Sequence, residues 1–141
     1  MTGVQTCALP IFQLGYLYLF EQQKANEGIQ QFQAAAQTYQ QALKSNPRSD
    51  EMNLSLAMAA FYSGQKELAE NSFQQTLTLN PKNAQAYFNY GLFLAEEKRD
   101  YQQAVKQWQI TEKLAAGKPL GEKAAELIQQ ATQPQSKSKQ P

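Results

Sequence analysis

Few side chains in this sequence could carry out catalysis. The 141 residues include no His and one Cys, Cys7, which excludes a Ser-His-Asp triad, a Cys-His pair, a Cys/His metal site and a disulfide framework. Glu96 and Glu97 are neighbours, so on a helix their carboxylates would point in different directions. The run from Lys98 to Asp100 is interpreted as a solvated turn. We therefore expect that the protein is not an enzyme.

Cofactors, metals, nucleic acids and membrane insertion are also not expected. The net charge is +1, far from the concentrated positive field that binding to phosphate backbones requires. No run approaches the roughly 20 apolar residues that cross a bilayer. Isolated glycines do not form a phosphate-binding loop, and those considered are Gly64, Gly91, Gly117 and Gly121.

The opening segment, residues 1–11, reads MTGVQTCALPI and resembles the conceptual translation of a widely used sequencing adapter. We expect it to be non-native and the natural sequence to begin near Phe12; a genuine leader is the alternative. Cys7 then carries no redox information. The compartment stays open, with the cytoplasm favoured over a periplasmic or membrane-tethered location, and the true amino terminus is expected to be missing.

A repeat of 34 residues organises the chain. On a helix, a small residue lets a second helix approach closely, and an aromatic residue four positions later lies on the same face. A proline then ends the helix. This order of small, aromatic and proline residues occurs twice in one register and predicts tandem helical hairpins. The pairs at this offset are Ala35 and Ala69, Tyr39 and Phe73, and Pro47 and Pro81.

The register resembles the tetratricopeptide repeat family, whose helical hairpins recur every 34 residues. The resemblance covers about residues 12–131. It implies an all-α fold in which tandem helix-turn-helix hairpins form a short right-handed α-solenoid. The structural signature residues are Gly15, Ala35, Tyr39, Pro47, Ala69, Phe73, Pro81, Tyr87, Gly91, Ala104 and Trp108.

One domain, residues 12–132, is predicted to contain three hairpins and a carboxyl-terminal capping helix. The first hairpin departs from the family pattern, because Ala35 follows Gly15 by twenty residues where the family has twelve. Either both of its helices are longer or the loop at residues 26–28 is extended. The predicted ranges are about 12–47, 50–81 and 84–116 for the hairpins, about 120–131 for the cap and 133–141 for a disordered tail.

The resemblance implies a concave surface, built mainly from first helices, that holds a segment of a partner protein. The inward positions are apolar and lack the Lys and Arg of the subclass that grips carboxyl-terminal peptides, so an apolar partner segment, extended or helical, is expected. Equally, these side chains could be ordinary core. The residues are Leu54, Met58, Tyr62, Phe88, Leu92 and Glu96, with Phe12, Tyr16 and Phe20 in the first unit.

The function indicated is a protein-protein interaction scaffold or adaptor. Two alternatives remain open: the regulatory tail of a longer enzyme, and the soluble part of a membrane-anchored bacterial envelope assembly factor. The apolar first helix, residues 12–20, would have no predecessor to cover it, so self-association is expected there. The sequence does not identify the partner or the pathway.

Overall fold

The computed structural model describes the backbone of residues 2–133 and the side chains of residues 20–133. The described backbone forms six α-helices and no strand, which confirms the all-α prediction. The helices are α1 (Thr2–Ser45), α2 (Asp50–Tyr62), α3 (Lys66–Leu79), α4 (Ala84–Glu96), α5 (Tyr101–Leu114) and α6 (Pro119–Thr132). Residues 134–141, for which a disordered tail was predicted, lie outside the described residues.

Side-chain caps start three of the helices. The Ser49 hydroxyl accepts a hydrogen bond of 3.1 Å from the Met52 amide at the start of α2. Asn83 accepts one of 3.0 Å at the start of α4, and Asp100 accepts one of 3.1 Å at the start of α5. Each cap satisfies an amide that has no partner within its own helix. These short polar residues therefore set where the helices begin.

The first unit differs from the predicted hairpin. No turn occurs at residues 26–28, and α1 is one continuous helix of 44 residues. Three of the five turns between the described helices contain a residue of positive φ, at Gly64, Arg99 and Gly117, and the other two contain the prolines Pro47 and Pro81, whereas Gly28 keeps a helical φ. Without a proline or a left-handed residue in this segment, the backbone has no reason to leave the helix, and one helical glycine costs only about 1 kcal/mol.

Successive helices pack against one another along the chain. The closest associations are α1 with α2, α2 with α3, α4 with α5, and α5 with α6. In the second and third hairpins, the small and aromatic residues of the repeat form the contact: Ala69, Phe73 and Ala104 are fully buried and Trp108 is 3% exposed. These four side chains therefore belong to the interior of the two hairpins.

Aromatic rings join the two complete hairpins into one core. The Phe93 ring lies 5.5 Å from the Phe61 ring in an edge-to-face arrangement and 5.8 Å from the Phe73 ring. Phe73 also stacks with Tyr90 at 5.4 Å. Such pairs contribute about 0.5–1.5 kcal/mol each beyond the area that they bury. The core thus continues from α2 and α3 into α4.

The last helix, α6, covers the end of this core. Ala124 is fully buried, and Leu127 and Ile128 pack against the main cluster, while Glu122 and Glu126 face solvent. Gly121 lets the helix approach closely, because a Cβ there would meet the Ala115 carbonyl. Within the described residues, no helix is long and apolar enough to cross a membrane.

Candidate functional site

An apolar cleft of about 410 Å³ opens between α1, α2 and α4. One wall of the cleft is the part of α1 that packs on α2, and the other is the face of α2 that carries Leu54, Met58 and Tyr62. A single residue of α4, Asn89, completes the lining. The lining side chains are Phe32, Ala35, Tyr39, Leu54, Ser55, Met58, Ala59, Tyr62 and Asn89.

Two exposed aromatic rings mark the rim of the cleft. Tyr62 is 49% exposed and Phe32 is 40% exposed. Their ring centroids lie 5.1 Å apart with an interplanar angle of 38°, and Tyr62 also stacks on Phe61 at 5.2 Å. Because Phe61 is buried in the core, this stacking holds Tyr62 in place. The rim is thus both apolar and partly preorganised.

Asn89 is the main polar group of the cleft. Its side chain is 8% exposed, and its Oδ1 accepts a hydrogen bond of 3.0 Å from Gln85 Nε2, one turn earlier on α4. Among the described residues, no fully buried side-chain nitrogen or oxygen lacks a hydrogen-bond partner. The Asn89 amide nitrogen is therefore still reached by solvent, and it can donate to a group that enters the cleft.

No residue that lines this cleft carries a charge. The nearby ion pairs, Lys66 with Glu97 at 2.9 Å and Lys98 with Glu70 at 2.7 Å, join α3 to the end of α4 and the following turn. Burial raises the pKa of the Tyr90 phenol, which bonds to Gln74 and Glu70 beside the second pair. None of these charged residues lines the cleft.

The six groove residues predicted from the sequence divide into two sets. Leu54, Met58 and Tyr62 lie together in the cleft. Phe88 and Leu92 are half-buried and pack against the main core, as Leu54 and Met58 also do, but they do not line the cleft. Glu96 is exposed at the last position of α4. For the first unit, the side chains of Phe12 and Tyr16 lie outside the described residues, and Phe20 is 45% exposed beneath the Lys24 ammonium.

Sequence reasoning missed part of this cleft. Ala35 and Tyr39 were assigned to a hairpin interior, yet they line the open surface together with Phe32. No local signal in the sequence shows that this face is open, because the opening depends on the path of residues 20–31. Asn89 had a signal, since a buried asparagine among apolar helix positions requires a polar partner.

Outside the cleft, the described residues contain no group of three His, Cys, Asp or Glu side chains that could hold a metal ion. A second depression, of about 710 Å³, lies between α5 and α6. Its lining includes Glu112, Lys113 and Glu122 of mixed charge, and all of its lining residues except Gly121 and Ala125 are exposed to solvent. The cleft between α1, α2 and α4 is therefore the better candidate site.

Comparison with known proteins agrees with this architecture. The family described as Tetratricopeptide repeat matches residues 24–61 and 54–119, together more than half of the chain. No curated protein sequence matches.

Two solved structures of the type III secretion translocator chaperone SycD from Yersinia enterocolitica, one of them an alternative dimer, are similar at a TM-score of 0.67. Each is 18% identical in sequence and covers 89% of this chain, which corresponds to 83% and 92% of the respective SycD chains. At this identity the likeness concerns the fold.

Proposed function

The chain belongs to the tetratricopeptide repeat family, and on that premise we propose that it is a scaffold that holds a partner protein in the cleft between α1, α2 and α4. The observation that carries the proposal is the cleft itself: an uncharged, open concavity with two exposed aromatic rings at its rim. Exposed aromatic side chains around a well-packed centre are typical of protein-binding sites.

The chemistry of the cleft favours an apolar segment as ligand. Leu54 and Met58 are half-buried, so an entering aliphatic or aromatic side chain would remove apolar surface from water on both sides. Met58 adapts its shape through three rotatable bonds. The Asn89 amide nitrogen would donate to a carbonyl or hydroxyl group of the segment, which fixes its position in an otherwise non-directional contact.

The same features argue against catalysis at this place. The lining offers no carboxylate, amine, thiol or imidazole, and Ser55 is the only aliphatic hydroxyl. A serine without an adjacent general base is a weak nucleophile. The described part of the chain therefore supports binding and positioning of a protein. SycD, whose structures are similar, is a translocator chaperone, and the open apolar cleft suits a chaperone-like holding role.

Peptide binding by matched variants tests the proposal. Peptides would be selected from a random library against the wild-type chain, and their dissociation constants measured by fluorescence anisotropy. We expect Tyr62→Glu and Met58→Glu to weaken binding at least about tenfold, because each places a charge in an apolar contact. The controls are Tyr101→Glu and Met52→Glu, whose native side chains are comparably exposed or half-buried but lie outside the cleft.

The controls should bind within about twofold of wild type. Helical circular dichroism and the thermal midpoint must be alike in all four variants, so that loss of binding is not loss of fold. Asn89→Leu adds a separate measurement, since it should weaken binding while the apolar contacts remain. If the cleft variants and the control variants bound peptides with equal affinity, the cleft would not be the binding site.

A further inference from the structure

Three aligned pairs of small and aromatic residues differ in burial. Ala69 and Phe73 in α3 are fully buried, and Ala104 and Trp108 in α5 are 0% and 3% exposed. The pair in α1, Ala35 and Tyr39, is only half-buried and lines the open cleft. Because all three pairs occupy the same repeat positions, the difference in burial reflects what packs against them.

The missing element is a helix. In the second hairpin α2 precedes α3 and packs closely on it, and in the third α4 does the same for α5. At the α4–α5 contact, Gly91 lies against the Trp108 indole. Within the described residues, α2 is the only helix that packs on α1, so the corresponding face of α1 is not covered by a second helix. The cleft therefore has the position and the apolar lining of a surface on which one more helix would pack.

The described part of the chain leaves this face uncovered, because α1 is straight. Residues 20–31 continue the helix away from α2 and are almost entirely exposed. Three of the six exposed large hydrophobic side chains of the described residues are in α1, at Phe20, Ile29 and Phe32. A helical segment gains most of its stability from packing of an apolar face. This part of α1 therefore also lacks a partner.

We propose that a second copy of the chain supplies the helix that covers this face. This proposal rests on the proposed function, in which the cleft holds a segment of a partner protein. In this arrangement the two α1 helices lie antiparallel, and residues 12–25 of each copy occupy the cleft of the other. The exchange is reciprocal, as a two-fold contact requires. Its centre lies near Gly28, where a Cβ would meet nothing within 4 Å, so the crossing helix has room to approach.

The sequence of the exchanged segment supports a second copy over an unrelated partner. Residues 12–25 include Leu14, Gly15 and Tyr18, in the order that a first helix of this repeat uses. Ala35 follows Gly15 by twenty residues. With no turn between them, the segment lies beyond the reach of its own cleft. An antiparallel neighbour of the same sequence that crosses near Gly28 brings its residues 17–24 level with residues 32–39, the part of α1 that lines the cleft.

The first test is the oligomeric state of the full chain by sedimentation equilibrium, in a Cys7→Ser background. We expect a dimer at micromolar concentration. Two differently tagged forms, one with Tyr18→Cys and one with Ser55→Cys, would then be co-expressed and oxidised. A disulfide between the two tagged chains is expected. The control pairs Tyr18→Cys with Asn71→Cys, on the exposed face of α3, and these two chains should form no disulfide.

A second variant tests the straight helix. Glu27→Pro breaks a helix at the centre of α1 and allows residues 12–25 to fold back onto their own cleft. We expect this variant to be a monomer with the helical circular dichroism of the parent. Moreover, Tyr18→Cys and Ser55→Cys placed together in it should form a disulfide within one chain.

Three results would overturn the exchange: a monomeric parent chain, equal cross-linking at positions 55 and 71, or a Glu27→Pro chain that stays dimeric. These outcomes leave the proposed partner binding to be judged by its own measurement, the peptide affinities of the Met58→Glu and Tyr62→Glu variants. Conversely, a dimer that forms the expected cross-link but binds no peptide would contradict the proposed binding of a partner protein and support the exchange of α1 helices between two copies.

Discussion

Gly91 lies against the indole ring of Trp108, and the indole Nε1 donates a hydrogen bond of 3.2 Å to the Phe88 carbonyl oxygen one turn earlier on α4. A Cβ at position 91 would lie 2.7 Å from the indole Cδ1 and 2.9 Å from Cε2. No side chain larger than hydrogen fits there unless α4 and α5 separate. The contact explains why this helix has a glycine at its centre.

Gly91→Ala should therefore destabilise the protein. Alanine favours the helix by about 1 kcal/mol, but the clash with Trp108 should outweigh this and lower the free energy of unfolding by about 1–3 kcal/mol. Urea denaturation followed by Trp108 fluorescence measures the change. Gly28→Ala is the matched control, because Gly28 is also helical and its Cβ would meet nothing within 4 Å. Stabilisation by both substitutions would contradict this account of Gly91.

Phe73 and Phe88 should respond differently to truncation. Phe73 is fully buried between Tyr90 and Phe93, so Phe73→Ala should cost about 3–5 kcal/mol of unfolding free energy. Phe88 is half-buried against the same core, and Phe88→Ala should cost less, about 1–3 kcal/mol. Chemical denaturation of both variants gives the comparison. A Phe88→Ala chain with wild-type stability would return Phe88 to the binding surface predicted from the sequence.

Replacement of Arg99 by glycine should stabilise the protein. Its φ is 56°, in the left-handed region, at the turn between α4 and α5, where the turn between α2 and α3 has Gly64 with φ 79°. A side chain in this conformation costs roughly 1 kcal/mol, so Arg99→Gly should raise the free energy of unfolding by about that amount. The reverse change, Gly64→Ala, should lower it. Thermal unfolding of the Arg99→Gly and Gly64→Ala variants tests this prediction. Thermal midpoints that shift in the same direction in both variants would refute it.

Asp50 should make stability depend on pH at the acid end. The Asn80 amide, at 2.8 Å from its carboxylate, holds the Asp50 pKa below its usual value, with Asn83 adding a weaker bond of 3.2 Å. The ionised form is thus favoured by folding. Its contribution is complete above the ordinary pKa of the unfolded chain and is lost as pH falls through the lower folded pKa.

The contribution of Asp50 should be less than about 1 kcal/mol, because solvent screens a carboxylate this near the surface. Free energies of unfolding, measured for the parent and for Asp50→Asn from about pH 7 to about pH 2, give the test. The difference between the two proteins should stay constant at neutral pH and shrink below about pH 4. A difference that does not change with pH would show that the charge of Asp50 is not involved.

Much of the architecture was readable from local features. The doubled spacing of Ala, aromatic residue and Pro predicted helical hairpins because small and aromatic residues four positions apart share a face, and that face is what a neighbouring helix contacts. Ser49, Asn83 and Asp100 cap helices through their own side chains, an interaction of a few neighbouring residues. Such features need no knowledge of distant contacts, so the sequence alone determines them.

The site depended on what only the tertiary structure decides. Whether residues 26–28 turn or stay helical follows from a small balance of backbone preferences, and the hairpin predicted from the sequence placed a turn where the structure has a continuous helix. Because α1 is straight, Ala35 and Tyr39 line a cleft although their repeat equivalents are buried. Met58, Phe88 and Leu92 all pack against the core, yet only Met58 also lines the cleft. Which helices lie alongside decides this, and that is a property of the assembled fold rather than of any one residue.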